Sequence, residues 1–266
     1  MNIAAYLKRI HYDGSVAPTA STLRDLQVAH LQSVPFENLS IHSNEPIVLD
    51  DEALFTKIVE RRRGGFCYEC NGLFAALLRA LGFEVTKLSA EVANAEGGFS
   101  QPFDHMALTV KLDQRWLVDV GFGDSFLEPL LLDEPGEQLQ GTRAFRIVAD
   151  GDYRVLNRRD NDEWKPQYRF TLEPYEYQDF AAMCGYHQSS PESHFTQKRI
   201  CSRALADGGR ITLTAAAGRA PDEMRLITTS SNSERNERTL ASAEEYVAML
   251  RKHFGVVLAT SGFLES

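Results

Sequence analysis

The chain has 266 residues, 43% hydrophobic and 24% charged, the composition of a globular protein with enough length for a substantial core. Its net charge of −9 argues against a general nucleic-acid binder, although local basic groups decide whether a small anion binds. No stretch approaches the length of a membrane span, the N-terminus lacks the apolar run of a signal peptide, and four cysteines do not make a disulfide framework, so a cytoplasmic protein is expected.

The first third reads as helical. Ile3, Tyr6, Leu7 and Ile10 share one side of a short helix over residues 1–10, which His11-Tyr-Asp-Gly14 breaks. Ser21 is placed to cap a second helix, Thr22 to Ser33, on which His30 reads as a packed or surface histidine. Pro35 stops it, and Val34 to Leu39 reads as a loop in which Glu37 is either exposed or paired with a basic residue. Asp50 or Asp51 caps a third helix through Arg62, with Leu54, Phe55, Ile58 and Val59 facing inward. Arg61, Arg62 and Arg63 suit its C-terminal dipole, or are simply a solvated helix end.

After the Gly64-Gly65 break, a fourth helix runs from about Cys67 to Ala80 and is closed by Gly82. Cys67 then sits at a helix N-terminus, where unpaired N–H groups and the dipole favour a thiolate. The two glycines leave room for a second group to approach the sulfur. Cys67 is therefore a candidate nucleophile; the alternative is a small core residue.

From Phe83 the pattern turns to strands: Phe83 to Val92, Phe103 to Lys111, Arg115 to Val120, Ala144 to Val148, Tyr153 to Leu156 and Trp164 to Thr171. Their close spacing suggests an antiparallel barrel or sandwich. A short helix at Tyr175 to Met183, a loop at Ser189 to Ser193, strands at Arg199 to Arg203 and Arg210 to Ala215, and a helix opened by the Ser242-Ala-Glu-Glu245 capping box make the last third mixed α/β.

The central hairpin carries a testable arrangement. A two-residue loop at Asp113-Gln114 would put His105 and Asp119 on opposite faces. A three-residue loop, Leu112 to Gln114, would set Ala107 opposite Asp119 and make His105 its diagonal neighbour on the same face. A Cys67–His105–Asp119 relay requires the odd loop, with a bulge. In it Cys67 supplies sulfur, His105 takes its proton, and Asp119 holds the other ring nitrogen.

At these residues the chain resembles the arylamine N-acetyltransferase family. The matching segments are Arg62-Arg-Gly-Gly-Phe-Cys-Tyr-Glu69 with Asn71, Asp104-His105, Trp116-Leu-Val-Asp-Val-Gly-Phe-Gly123 and Pro35-Phe-Glu-Asn-Leu39. Tyr6-Leu-Lys-Arg-Ile10, Ser190-Pro-Glu-Ser-His-Phe195 and Asp207-Gly-Gly-Arg-Ile-Thr-Leu-Thr214 extend the likeness over nearly the whole chain. The resemblance implies an α+β fold: an N-terminal helical bundle, a central antiparallel β-barrel and a C-terminal α/β lid, with a cysteine-protease-like triad at the domain junction. On this division residues 1–82 carry the nucleophile, 83–190 form the barrel with the histidine and aspartate, and 191–266 are linker and lid.

It further implies catalysis by Cys67, His105 and Asp119, and acetyl-coenzyme A as co-substrate, with no permanently bound cofactor and no metal. Acetyl transfer to an arylamine, arylhydrazine or N-hydroxyarylamine would be ping-pong. Phe36, Phe122 and Gly123 are candidates for substrate binding, and Arg9, Glu37 and Arg63 for a buried ionic cluster. A synthase using another acyl donor and a cysteine hydrolase keep the same triad. Cys70, which makes a Cys-x-x-Cys with Cys67, opens a non-enzymatic reading as a redox or metal module, or a disulfide that silences the enzyme.

Overall fold

The computed structural model describes residues 1–216, 224–232 and 234–258. Helix α1 (Ile3–Arg9) is capped by Asn2, whose Oδ1 accepts the Ala5 N–H at 3.1 Å. Helix α2 (Ala20–Ser33) is capped by Thr19 rather than Ser21, because the Thr19 hydroxyl accepts the Thr22 N–H and Ser21 already lies in the first turn. The Phe36–Glu37 pair forms strand β1, and Leu39–His42 a single turn, α3. Helix α4 (Asp51–Phe55), capped by Asp50, widens into a π turn over Thr56–Glu60, and Arg62 at its exit is left-handed with φ 54°.

The buried helix α5 (Cys67–Ala80) follows. Glu69 reaches back to the Phe66 N–H at 3.1 Å, satisfying one of the orphan donors at its start. Tyr6, Leu23, Leu26 and Ile58 pack with its Phe74 and Leu77, and the same core continues into Leu108, Val110 and Val118 of the sheet beneath. His30 is a packed histidine: Tyr6 Oη lies 2.9 Å from its Nδ1, Phe74 lies edge-on, and burial pushes its pKa down to about 3.

Eight antiparallel strands follow: β2 (Glu84–Val92), β3 (His105–Lys111), β4 (Arg115–Val118), β5 (Leu130–Leu131), β6 (Gln138–Gln140), β7 (Arg143–Asp150), β8 (Tyr153–Asp160) and β9 (Glu163–Phe170). Their order is β5-β4-β3-β2-β9-β8-β7-β6. The two ends nearly meet, and side chains join them where the ladder stops. Gln138 exchanges two hydrogen bonds with the backbone of Leu131, and Gln140 does the same for Leu127, Glu128 and the Glu128 carbonyl. Leu88, Leu117, Phe126, Phe145, Leu156 and Phe170 fill the interior of this nearly closed barrel.

Helix α6 (Tyr177–Ser189) returns to the α5 side, where Phe180 and Cys184 pack with Phe66, Cys67 and Tyr68. The short α7 (His194–Gln197) leads into a second antiparallel sheet, β10 (Lys198–Ala204), β11 (Arg210–Ala216), β12 (Arg225–Thr229) and β13 (Arg235–Thr239), covered by α8 (Ala243–Phe254). This lid sheet takes its first strand from far upstream: β1 pairs with β10, Phe36 opposite Ser202 and Glu37 opposite Cys201.

The fold is the α+β arrangement of helices, barrel and lid. Several elements differ from the sequence reading. Residues 36–37 are a strand rather than a loop, α6 runs on to Ser189, and β5, β6, β12 and β13 carried no alternating pattern. In β13 every residue is exposed, so an edge strand of polar residues leaves no apolar period to read. Among the described residues no helix is long and apolar enough to cross a membrane.

Candidate active site

Cys67 opens α5 and lies on the wall of a cavity of about 480 Å³ between the helices, the barrel rim and the lid. Gly121 presses on it from the other side. A Cβ there would come within 2.7 Å of Cys67 Cα and of Asn71 Nδ2, so only glycine fits. The thiol is almost fully buried, and burial pushes its pKa well up; the Met106 backbone amide pulls down, while the carboxylates of Asp104 and Asp119 push up again. Burial thus works against the thiolate that the helix start favours, which gives a neighbouring base a role. Gly64 and Gly65 also serve a different end. They admit the Pro35 carbonyl and the Glu69 side chain, not a group approaching the sulfur.

The base is placed by the hairpin. Leu108 pairs with Val118 and Lys111 with Arg115, so the loop is the three-residue Leu112 to Gln114, and the register needs no bulge. His105 Nε2 lies 2.7 Å from Asp119 Oδ2, which leaves Nδ1 available to a thiol. Asp119 is fixed from three further directions: Asn71 Nδ2 and the Gly121 N–H donate to Oδ1 at 2.8 Å each, and Tyr168 Oη donates to Oδ2 at 3.1 Å. Burial works against its charge, but His105, Asn71 and the Gly121 amide win, holding the carboxyl below its ordinary range. Asn71 also donates to the Met106 carbonyl and accepts from Val120 N–H, tying α5 to both strands of the hairpin.

Cys67 and His105 line the same cavity, with Phe36, Phe122 and Asp104 beside them. Phe122 stands edge-on to the His105 ring at 5.1 Å. Gly123 has φ +90° and lies against the Phe36 ring. The wall also carries Lys198, Arg235, which pairs with Glu237 at 2.7 Å, and the buried Arg210, which donates to Asp124 Oδ1 at 3.2 Å and to Ser202 Oγ at 3.0 Å.

Glu37 and Arg63 form a buried bidentate pair at 2.9 and 3.1 Å, and the Leu39 and Gly64 amides also donate to Glu37. Arg9 is buried nearby, but among the described residues no ion pair joins it to the cluster that the resemblance implied. Its guanidinium is spent on the carbonyls of Ser33, Ile58 and Arg63, a helix-end clamp. Cys70 is buried on another face of α5 and donates to the Gly65 carbonyl; all four cysteines are free thiols. Sequence reasoning assigned no role to Tyr168 or Asp104, and placed Gly121 only within a turn resembling the family's active-site loop. Tyr168 carried only a strand residue's signal, and the tight packing of Gly121 is purely tertiary.

With this geometry in hand, comparison with known proteins is informative. A family model described as N-acetyltransferase matches residues 19–263. The arylamine N-acetyltransferase / N-hydroxyarylamine O-acetyltransferase of Salmonella typhimurium is 36% identical over 212 residues, covering 79% of this chain and 75% of that protein. The arylamine N-acetyltransferase of Mycolicibacterium smegmatis is 40% identical over 202 residues, covering 73% and 74%. The solved Salmonella typhimurium structure superposes with a TM-score of 0.88 at 30% identity, over 98% of this chain and 94% of that one. A Mycobacterium marinum arylamine N-acetyltransferase solved in complex with CoA superposes at 0.85 and 32% identity, over 96% and 93%. The protein is therefore an acyltransferase. Within that class, the chain belongs to the arylamine N-acetyltransferase family.

Proposed function

We propose that this protein transfers an acetyl group from acetyl-CoA to an arylamine, arylhydrazine or N-hydroxyarylamine, through an acetyl thioester on Cys67. The observation that carries the reading is a single cavity onto which Cys67 and the Asp119-held His105 both open. The M. marinum relative's CoA complex supports the donor.

His105 Nδ1 takes the Cys67 proton, and buried Asp119 stabilises the imidazolium. The thiolate adds to the acetyl thioester carbon. Backbone N–H groups at the start of α5 face the oxyanion that forms. The tetrahedral species collapses with loss of the CoA sulfur, which recovers the proton from His105. The amine then adds to acetyl-Cys67, gives a proton to His105, and displaces the Cys67 sulfur. Phe36 and Phe122 flank the aromatic acceptor, Gly123 supplies the positive φ of the turn beside Phe36, and Lys198 is the basic group of the wall assigned to the donor's phosphates. Glu37 and Arg63 act structurally. Four free thiols suit a reducing compartment, and we assign the enzyme to the cytoplasm.

The test is intact mass and peptide mapping after mixing protein with acetyl-CoA alone. One acetyl group on Cys67, discharged by an arylamine or hydrazine, is the expected result. No acetylation would point to another acyl donor, labelling on Cys70 would refute the nucleophile, and discharge to water as fast as to amine would favour a hydrolase.

A further inference from the structure

Two carboxylates lie near Cys67, and only one is accounted for. Asp119 is hidden behind His105. Asp104 instead lines the cavity, its side chain 18% exposed. It is held there by a built support. His187 Nε2 lies 3.0 Å from Oδ1, and His187 Nδ1 lies 3.0 Å from the Ser193 hydroxyl, so an imidazole buried to 2% backs the carboxylate.

The backbone is pinned as well. Tyr68 Oη donates to the Phe103 and Asp104 carbonyls at 2.7 and 3.2 Å, and the Phe103 N–H donates to Ser89 Oγ at 2.7 Å. Phe103 itself is left-handed with φ 67°, a strained state for an aromatic residue that persists only when its surroundings impose it.

This placement disfavours the first half of the reaction, since a carboxylate beside Cys67 opposes formation of the thiolate. Burial would favour the neutral acid, yet His187, Ser100 and His105 keep Asp104 below the ordinary carboxylate range; Cys67, Tyr68 and His194 are the other titratable groups within its influence. A charge kept where it hinders attack on the donor has a use in the step that follows. When an amine adds to acetyl-Cys67, its lone pair forms the C–N bond, the carbonyl electrons move to oxygen, and nitrogen becomes positive until His105 takes its proton. The C–S bond then breaks and Cys67 leaves as thiolate.

We propose that Asp104 is the acceptor-positioning residue: its cavity-facing carboxylate, backed by His187, receives an N–H of the attacking amine or hydrazine and excludes acceptors carrying an anionic group beside it. The proposal rests on the acetyl-transfer reading above and narrows its acceptors to those without an anionic group next to the amine.

The test separates the half-reactions. Cys67 is acetylated with acetyl-CoA, CoA is removed, and discharge is timed by mass with two anilines of matched shape, one ortho-carboxamide and one ortho-carboxylate. Wild-type acetyl-enzyme should discharge to the carboxamide about tenfold faster, the worth of one charge-assisted contact. In Asp104→Asn, acetylation by acetyl-CoA should be unchanged or faster, discharge to the carboxamide about tenfold slower, and discharge to the carboxylate faster. Opposite movements of the two acceptors are something a merely structural role cannot produce. Equal wild-type rates for the pair would overturn the proposal even if the variant failed to fold, as would a common slowing of both acceptors and of acetylation in the variant. If wild-type Cys67 is never acetylated, the acetyl-transfer reading fails first and this one falls with it.

Discussion

A buried thiol with a raised pKa makes Cys67 dependent on its neighbours, and most of that dependence passes through Asp119. Asp119→Asn keeps the size of the side chain but presents an amide N–H₂ to His105 and removes the charge that stabilises the imidazolium. Cys67 acetylation by acetyl-CoA should fall by roughly 10⁴-fold, the scale of the same change in other nucleophile–histidine–aspartate relays. Rapid-quench mass spectrometry measures it, and a loss under tenfold would remove Asp119 from the mechanism. Glu37 shows the same principle acting on stability. Burial raises its pKa, but Arg63, Lys57 and the Leu39 and Gly64 amides outweigh it and hold the carboxyl below its ordinary range. A group depressed in the folded state stabilises the fold above its unfolded pKa, and loses that contribution as pH falls through the lower folded value. Glu37→Gln should therefore cost roughly 3–5 kcal/mol at neutral pH by leaving Arg63 buried with only the half-exposed Glu45 beside it. Urea titrations at several pH values should also show a flatter acid limb in the variant. An unchanged limb would mean that the pair does not govern acid stability.

The β3–β4 hairpin turns a loop length into an active-site geometry. Because side chains alternate along a strand, one residue fewer between Arg115 and Asp119 moves Asp119 to the face opposite His105. Deleting Trp116 should abolish Cys67 acetylation, a drop of at least about 10³-fold, while circular dichroism keeps the barrel's signal. Retained activity would mean that the loop, not the register, absorbs the deletion. This arithmetic was open to sequence reasoning since it needs only strand period and loop count. The same holds for α5, whose apolar spacing is strong and whose start is marked by two glycines. What escaped has a physical cause in each case. β1 is too short for alternation, β6 and β13 lack an apolar face, and the barrel seam is sealed by Gln138 and Gln140 side chains that read simply as polar residues. At the site, Cys67, His105 and Asp119 are polar residues in distinctive local sequence, whereas Tyr168 reaches Asp119 from a strand 49 residues away and has no local mark. Arg9 was expected in an ion cluster only from the family resemblance, and here its guanidinium meets carbonyls instead.

At the scale of the molecule, helices, barrel and lid meet on Phe36 to Leu39, where each side chain goes to a different place. Phe36 turns to the cavity, Glu37 to Arg63 beneath, and Leu39 into the lid core with Leu213 and Leu250. Asn38 does the tying: its Nδ2 donates to the Phe195 and Lys198 carbonyls at 2.9 and 2.6 Å, and its Oδ1 accepts the Ile200 N–H at 2.8 Å. These bonds fix the segment from which Phe195 and Lys198 face the cavity. Asn38→Ala would leave a buried amide and two carbonyls without that partner, costing about 1–3 kcal/mol. The lid sheet would keep its β1 pairing, so the chain should still fold with a lowered Tm. The distinguishing effect is on the donor, because Lys198 on the cavity wall is no longer held to the segment that carries Phe36. KM for acetyl-CoA should rise by about tenfold, a contact of charge-assisted size, while Cys67 acetylation at saturating donor stays near wild type. A lower Tm with KM unchanged would show that Asn38 only stabilises the lid. A raised KM would show that the junction sets where the lid meets the donor, making the position of the lid a property of four consecutive residues near the other end of the chain.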